Sequence, residues 1–488
     1  MQYNILELAK FITSESVFIS DADSIIKYVA LDSRNISFAK NALFFALKGR
    51  RLNAHSFIKE AYLKGVRNFI ISEKIDYKAF PTANFIVVLN VIDALQSFAR
   101  FHRTHFSLPV IGITGSNGKT IVKEWLYQLL VDDYFIVRSP RSYNSQIGVP
   151  LSVLEIKEQH DLAIFEAGIS QPDEMQRLAS IIQCNIGILT NIGDAHNEGF
   201  KSRTEKITEK LKLFNNCDIL IYCKDYFEKE IDVPTNTAFF TWSKKQKEVN
   251  LYILENKFTS IKKTHLKGYF QDKEIEIFIP FTDDASIENA IHCWCVMLYL
   301  GYDDMTIQQR MNHLQPVALR LELKTGINNC LIINDSYSLD MTSLTLALDF
   351  MSQQSQHNNK TLLLSDVLQS GLSSEILYQQ IAQLLQQQQI NKLIAIGSDI
   401  EIIGNFISPT IEFQYYKSVT DFLAKAKLQS FQNETILLKG ARVFEFERIA
   451  ELLELKAHRT VLEINLDALR HNLAAYTRRL SKNTKILF

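Results

Sequence analysis

No stretch of this 488-residue chain approaches the roughly 20 consecutive apolar residues that a membrane span requires. Its opening, MQYNILELAKF, also lacks the basic segment followed by an apolar one that marks a secretory leader. A cytoplasmic protein with no membrane insertion is the expectation. Charge of one sign is missing as well. With 53 basic against 54 acidic side chains there is no global field to hold nucleic acid, so any polyanion has to be held locally. That points to a small phosphorylated ligand. Cysteine is scarce: Cys184, Cys217, Cys223, Cys293, Cys295 and Cys330 are scattered, and the spacing of the one close pair, Cys293 and Cys295, fits neither a redox CxxC motif nor a zinc knuckle. Reduced, mostly buried thiols are expected. Low-complexity sequence is confined to the glutamines at 386–389, which follow Ile376, Leu377, Ile381, Leu384 and Leu385 at helical spacing and read as the end of a surface helix.

What the chain does carry centres on residues 109–120, PVIGITGSNGKT. Val110, Ile111 and Ile113 form a short β-branched run, the composition of a parallel strand buried on both faces. Gly115 and Gly118 remove side chains where the backbone bends and lies against a ligand. Lys119 and Thr120 then open a helix that continues through Trp125, Leu126 and Leu129. In such an arrangement N–H groups of the turn Gly115, Ser116, Asn117 and Gly118 cradle phosphate oxygens. The Lys119 ammonium neutralises β/γ charge, and the Thr120 hydroxyl can ligate Mg²⁺. The reading is a nucleoside triphosphate site. The strict pattern wants Gly six residues before Lys119, where Ile113 stands, so the loop is a variant.

Around this stretch the chain divides into units. Residues 1–108 read as a small α/β domain with a helix from about His55 to Leu63; Ser33, Arg34, Lys48 and His55 lie on its loops, where ligand contacts concentrate and solvated surface residues are also common. In the second unit, 109–316, DLAIFEAGIS and CNIGILTNIGDAHNEGF end strands at Glu166 and near Asn191. Glu166 and His196 thus fall just past the carboxyl ends of strands, the edge where open α/β sheets bind ligands. Singly they read as a surface acid and a loop histidine. Jointly they look like metal ligands, because Mg²⁺ on a triphosphate takes one or two carboxylates beside phosphates and water. Ser202 and Glu205 form a capping box for a helix whose core stripe is Ile207, Leu211 and Phe214. Lys210 falls on the edge of that stripe, where a lysine snorkels or finds a partner. Short β-type runs over about 218–281 read as a small accessory sheet, and a helix from near Asp284 carries Glu288, Asn289 and His292. The third unit, 317–457, repeats strand and helix through four strands, a Rossmann-like sheet with no GxGxxG and hence no expected dinucleotide. Arg320, Asp335 and Tyr337 cluster where it meets the second unit, and Lys439 and Arg442 close its last strand.

Taken in order, DSRN with LFFALKG, GITGSNGKT, YNSQIGVPLSV, FEAGIS, NIGDAHNEGF, the Lys210 helix, RLE at Arg320 and NDSY with a following Ser343 resemble the Mur ligases over residues about 30–455. The resemblance implies an α/β protein of three domains: a UDP-sugar-binding domain, a central P-loop parallel-sheet domain that binds ATP, and a C-terminal Rossmann-like domain. It is strongest to the branch that joins D-alanyl-D-alanine to UDP-N-acetylmuramoyl-tripeptide in peptidoglycan synthesis. It further implies that Lys119 and Thr120 hold the β/γ-phosphates and one of two Mg²⁺ ions, with Glu166 on the same ion. His196 and Lys210 would serve the second ion, Lys210 as an N-carbamate formed with CO₂. Asn289 would lie near the adenine, Arg320 and Asp335 would reach the γ-phosphate and ribose, Ser33 and Arg34 would contact the UDP-sugar, and Asn144 and Ser145 would line the channel between. Catalysis would fall to Lys119, Glu166, His196, Lys210 and Arg320, with the third domain swinging in to close the site. Two departures stand out: Lys212 where relatives often carry an acid, and SDVLQSG where they show a GDM-type segment.

The tail, 458–488, resembles the opening of an alanine racemase and stops before any pyridoxal-phosphate lysine motif. It implies a ligase–racemase fusion in a longer protein, with dimerisation through the racemase left open, and neither pyridoxal phosphate nor racemase activity in these residues. Two other readings remain: a Mur-superfamily ligase of the MurE or folylpolyglutamate type, separable by which amine stimulates ATP hydrolysis, and a non-catalytic nucleotide-binding scaffold, which would release no phosphate with any substrate.

Overall fold

The computed structural model describes residues 2–455 apart from 37–38, 50–52, 194–199, 228–236, 261–262, 318–321, 338, 353, 355, 369 and 371. His196, Arg320 and the racemase-like tail therefore lie outside the described residues.

Among those residues the strands form one two-stranded pair and three larger sheets, each built from its own stretch of chain. The first, of five strands, runs in the order Ser16–Phe18, Asn84–Val87, Asn68–Ile71, Ala42–Phe45, Tyr28–Ala30, parallel except at its Ser16–Phe18 edge. The second holds nine. Val110–Thr114 sits between Leu162–Glu166 and Ile186–Leu189, parallel to both, and all five of its residues are buried. This is the doubly covered strand that its β-branched run predicts. Helices Lys119–Leu130 and Asp284–Tyr299 cover one face through Ile111 and Ile113, while Val110 turns into the opposite core.

The runs over 218–281, expected as a small accessory sheet on the same domain, instead extend this sheet itself. Ile219–Cys223 and Ala238–Ser243 continue it in parallel, Leu251–Ser260 joins through Trp242 and Ser243, and Lys263–Phe270 and Lys273–Ile279 close it as antiparallel strands. The reason is the core. Trp242, Leu251, Leu266 and Ile277 share one apolar cluster with Ile287, Ala290 and Trp294 of the helix beside them, so no polar face separates the hairpins from the sheet.

The third sheet has six strands, ordered Glu322–Thr325, Leu331–Asp335, Glu434–Lys439, Asn359–Ser365, Lys392–Ile396, Glu412–Tyr416. Four were expected. The two additional strands are the edges, ELKT and EFQYY, which are largely half-exposed and so carry no continuous apolar run. Within SDVLQSG, the Asp366 carboxylate accepts from the backbone N–H groups of Ser398, Asp399 and Ile400 and fixes the turn after the neighbouring strand. The glutamine run closes the helix Ser374–Gln387, and all six cysteines are buried and free. Among the described residues no helix is long and apolar enough to cross a membrane.

Candidate functional site

The turn after Val110–Thr114 needs both of its glycines. Gly115 has φ +147°, and a Cβ there would stand 2.0 Å from Thr190 Oγ1; Gly118 has φ +84°, and its Cβ would stand 2.2 Å from Asn289 Oδ1. Side chains at either position would fill the cradle. Gly118 is also the N-cap of Lys119–Leu130, and no side chain caps that helix start. A helix N-terminus of this kind attracts anions.

The turn is braced from the neighbouring strand end. Ser116 N donates to Asn191 O (2.9 Å), Asn117 N to Asn191 Oδ1 (2.8 Å), Gly193 N to Ser116 Oγ (2.9 Å), and Thr190 Oγ1 to Asn117 O (2.5 Å). Charged groups gather around it. Lys119 Nζ donates to the Gly115 and Ser116 carbonyls at 2.8 and 2.9 Å. Lys210 Nζ donates to the same Gly115 carbonyl at 3.1 Å, and Lys206 Nζ to Gly193 O at 2.6 Å. Lys210 is buried, and burial, with the charges of Lys119 and Lys206 beside it, holds its pKa well below the usual lysine value. Its stem does not snorkel to solvent. Lys212, two residues on, turns its charge to Glu209 (2.6 Å) and Asp173 (3.4 Å), so the departure from the family pattern leaves no added cation beside Lys210.

Glu166 is fully buried at the end of its strand and accepts from Thr120 Oγ1 at 2.9 Å; Ser142 Oγ lies 3.0 Å from the same hydroxyl. Among the described residues no three His, Cys, Asp or Glu side chains converge as metal ligands. The oxygen donors that do meet, a carboxylate and a hydroxyl beside a phosphate-type turn, match a hard ion such as Mg²⁺, which keeps waters and phosphate oxygens as its remaining ligands.

The turn, with Lys119 and Thr120, opens into a cavity of about 510 Å³ walled on one side by the turn, Asn144 and Asn289, and on the other by Asp335, Tyr337 and Lys439 of the third sheet, while the buried Glu166 and Lys210 lie outside its walls. Asp335 pairs with the buried Lys439 at 2.6 Å, and the Arg442 guanidinium lies 4.9 Å from the centre of the Tyr337 ring. Asn289 is buried against Gly118. Ser145 Oγ accepts from Gly148 N at 3.2 Å, holding the start of a short helix, and Ser145 is not among the residues that wall this cavity. Ser33 and Arg34 lie on the first sheet's turn, away from the cavity. The Ser33 carbonyl accepts from Lys64, while exposed Arg34 forks onto Asp32 and holds that carboxyl at about 2.

The structure adds residues that sequence reasoning passed over. Lys123 is fully buried behind Glu166, and Tyr226 donates a short hydrogen bond to Glu288 at the Asn289 end of the cavity. The signal for Lys123 was its spacing: it stands three and four residues after Thr120 and Lys119, on their face of the helix.

Comparison with known proteins gives a family and a fold. A model of the Mur ligase middle domain matches residues 113–297. The chain is 30% identical over 458 residues to the UDP-N-acetylmuramoyl-tripeptide–D-alanyl-D-alanine ligase of Borreliella burgdorferi, covering 89% of this chain and 95% of that protein. Its fold is similar to that of MurF from Acinetobacter baumannii (TM-score 0.76, 21% identity, 93% and 99% covered). MurF of Thermotoga maritima, solved in complex with ADP, gives a TM-score of 0.71 at 21% identity, with 87% and 96% covered.

Proposed function

Since the chain belongs to the Mur ligase family, in its UDP-N-acetylmuramoyl-tripeptide–D-alanyl-D-alanine ligase branch, we propose that it forms that amide bond at the expense of ATP at the cavity between its second and third sheets. The carboxylate of the tripeptide takes the γ-phosphoryl group of ATP to become an acyl phosphate. The amine of D-alanyl-D-alanine attacks the acyl carbon, and phosphate leaves with ADP already formed.

The obstacle is charge. A carboxylate oxygen and a phosphate oxygen about 4 Å apart repel by about 4 kcal/mol at an effective dielectric of 20. A helix terminus returns only about 0.3–1 kcal/mol at an exposed site. Lys119, held over the turn by two carbonyls, supplies a fixed positive charge where the γ-phosphate is expected. Thr120 and Glu166 would hold Mg²⁺, which when bound neutralises phosphate charge. Asp335 and Lys439 would meet the nucleotide from the far wall, and Asn289 would face its base. Ser33 and Arg34 would receive the UDP-sugar, and His196 and Arg320 keep the roles the family gives them.

Lys210 fits an N-carbamate for a reason visible in its surroundings. CO₂ reacts with an unprotonated amine, and burial beside two ammonium groups favours that form. Once formed, the carbamate anion would stand next to Lys119 and Lys206 and be attracted by both.

The observation that carries the reading is the single carbonyl of Gly115 shared by Lys119 and Lys210, which draws the phosphate turn and the carbamate candidate to one point. Purified protein given Mg-ATP and UDP-N-acetylmuramoyl-tripeptide should release phosphate only when D-alanyl-D-alanine is added. Release driven instead by a single amino acid or by glutamate would reassign the substrate, and no release with any amine would leave a scaffold.

A further inference from the structure

We propose that Lys123 is a positioning residue of this ligase, holding both the Glu166 carboxylate and the 139–145 loop around the Thr120 metal position; this rests on the nucleotide reading above. Lys123 has no exposed side-chain surface. A buried ammonium is costly unless counter-charge and acceptors surround it. Here it donates to Ser139 O at 2.7 Å and to Arg141 O, and it stands 3.0 Å from Glu124 Oε1 and 4.0 Å from Glu166 Oε1.

Each partner bears on the site. Ser139 follows the strand Ile136–Arg138, and its Oγ accepts from Glu166 N at 3.3 Å, so the same residue meets Lys123 by its carbonyl and the Glu166 backbone by its hydroxyl. Arg141 lies in the left-handed region, φ +50°, and its carbonyl is turned onto the lysine. One residue later Ser142 meets Thr120, and two after that Asn144 O accepts from Gly168 N. Removing the ammonium would release the loop's first turn and take away the positive charge that faces the Glu166 carboxylate on the side away from Thr120.

The charges balance in a line. Arg138 Nε donates to Glu124 Oε2 at 3.0 Å, Glu124 faces Lys123, and Lys123 faces Glu166. Glu124 therefore competes with Glu166 for the same ammonium. If it is neutralised, Lys123 is drawn toward Glu166 and the carboxylate becomes a weaker cation ligand. An inert structural lysine would show no such coupling to metal.

The test is calorimetric binding of ADP across a Mg²⁺ titration, run on the unaltered protein, Lys123→Met and Glu124→Gln, with kcat and KM measured alongside. Outer-shell partners of metal ligands typically change metal affinity or activity about 10–100-fold when replaced. Lys123→Met should lose at least about tenfold in kcat with a smaller change in KM for ATP, and both variants should need several-fold more Mg²⁺ to reach half-maximal ADP binding. Should Lys123→Met fail to fold, Glu124→Gln decides, since its side chain is partly exposed and its removal keeps the buried lysine paired with Glu166. A Mg²⁺ requirement unchanged in Glu124→Gln, or a folded Lys123→Met with normal kcat and Mg²⁺ dependence, overturns the proposal. Absence of Mg²⁺-dependent ADP binding in the unaltered protein would instead overturn the nucleotide reading beneath it.

Discussion

Lys210 is the residue whose setting was half legible beforehand. Its place on the edge of an apolar stripe marked it as unusual, but helical spacing could not say whether it escapes to solvent. Its burial and its bond to Gly115 answer that. Lys210→Ala should abolish phosphate release, and short carboxylic acids should restore part of it by supplying the missing anionic oxygens; normal turnover in that variant would dismiss the carbamate. Lys123 was legible only as a neighbour of Thr120 and Lys119 on one helix face; a lysine on an amphipathic helix ordinarily faces water, and the folded loop at 139–141 shows what it meets. Two histidines bear on pH. His102, between the Tyr3 hydroxyl and Ile156 O, and His292, between Trp242 Nε1 and Thr190 O, are each lowered from 6.5 to about 4, chiefly by burial. The folded state keeps them neutral, whereas the unfolded chain takes up protons below 6.5. Stability is thus full above that pH and is lost as pH falls toward 4, by up to about 3 kcal/mol per residue. Urea midpoints should decline across this window, and His292→Gln should show a shallower decline; an equal slope would count against a neutral His292.

At the scale of elements, the phosphate turn and its flanking strand and helix were readable because glycine placement and β-branched runs are local signals. Sheet continuity was not. The same short β runs at 218–281 suit an independent hairpin sheet or an extension, and the choice is made by Trp242 and Leu251 packing against a helix more than 30 residues distant in sequence. Edge strands were missed for a related reason, their half-exposed faces. The turn itself gives a sharp expectation. Gly118→Ala adds a Cβ against Asn289 at a positive φ, which should weaken ADP binding by at least about tenfold and cost the fold about 1–3 kcal/mol. Calorimetry beside thermal melting separates the two, and undiminished affinity would remove the turn from the site. In the third sheet, Lys439→Met would strand Asp335 without its 2.6 Å partner, and loss of one member of a buried pair costs about 3–5 kcal/mol. Chemical denaturation should report that loss in the sheet's unfolding.

For the whole molecule, the distribution of apolar contact separates what is welded from what can move. One core cluster runs without interruption from Tyr3 and Phe98 of the first 108 residues through Val110, Phe165 and Leu220. Gln96 Nε2 donates to Gln146 O and Arg103 Nε to Ile182 O across the same seam. The third sheet has two clusters of its own, drawn from residues 327–453, and faces the rest across the cavity. Closure should therefore occur between the second and third units, with the first carried along. Small-angle scattering should register a smaller radius of gyration once Mg-ADP and the UDP-tripeptide are both added; an unchanged radius would exclude a swing. The bonds from Asn191 and Gly193 to Ser116 and Asn117 carry a last consequence. Nine residues of glycine-rich motif transplanted into a foreign scaffold would arrive as a limp tether, since their stiffness is borrowed from an adjoining segment, and grafting succeeds only when donor strand and buttress travel as a set.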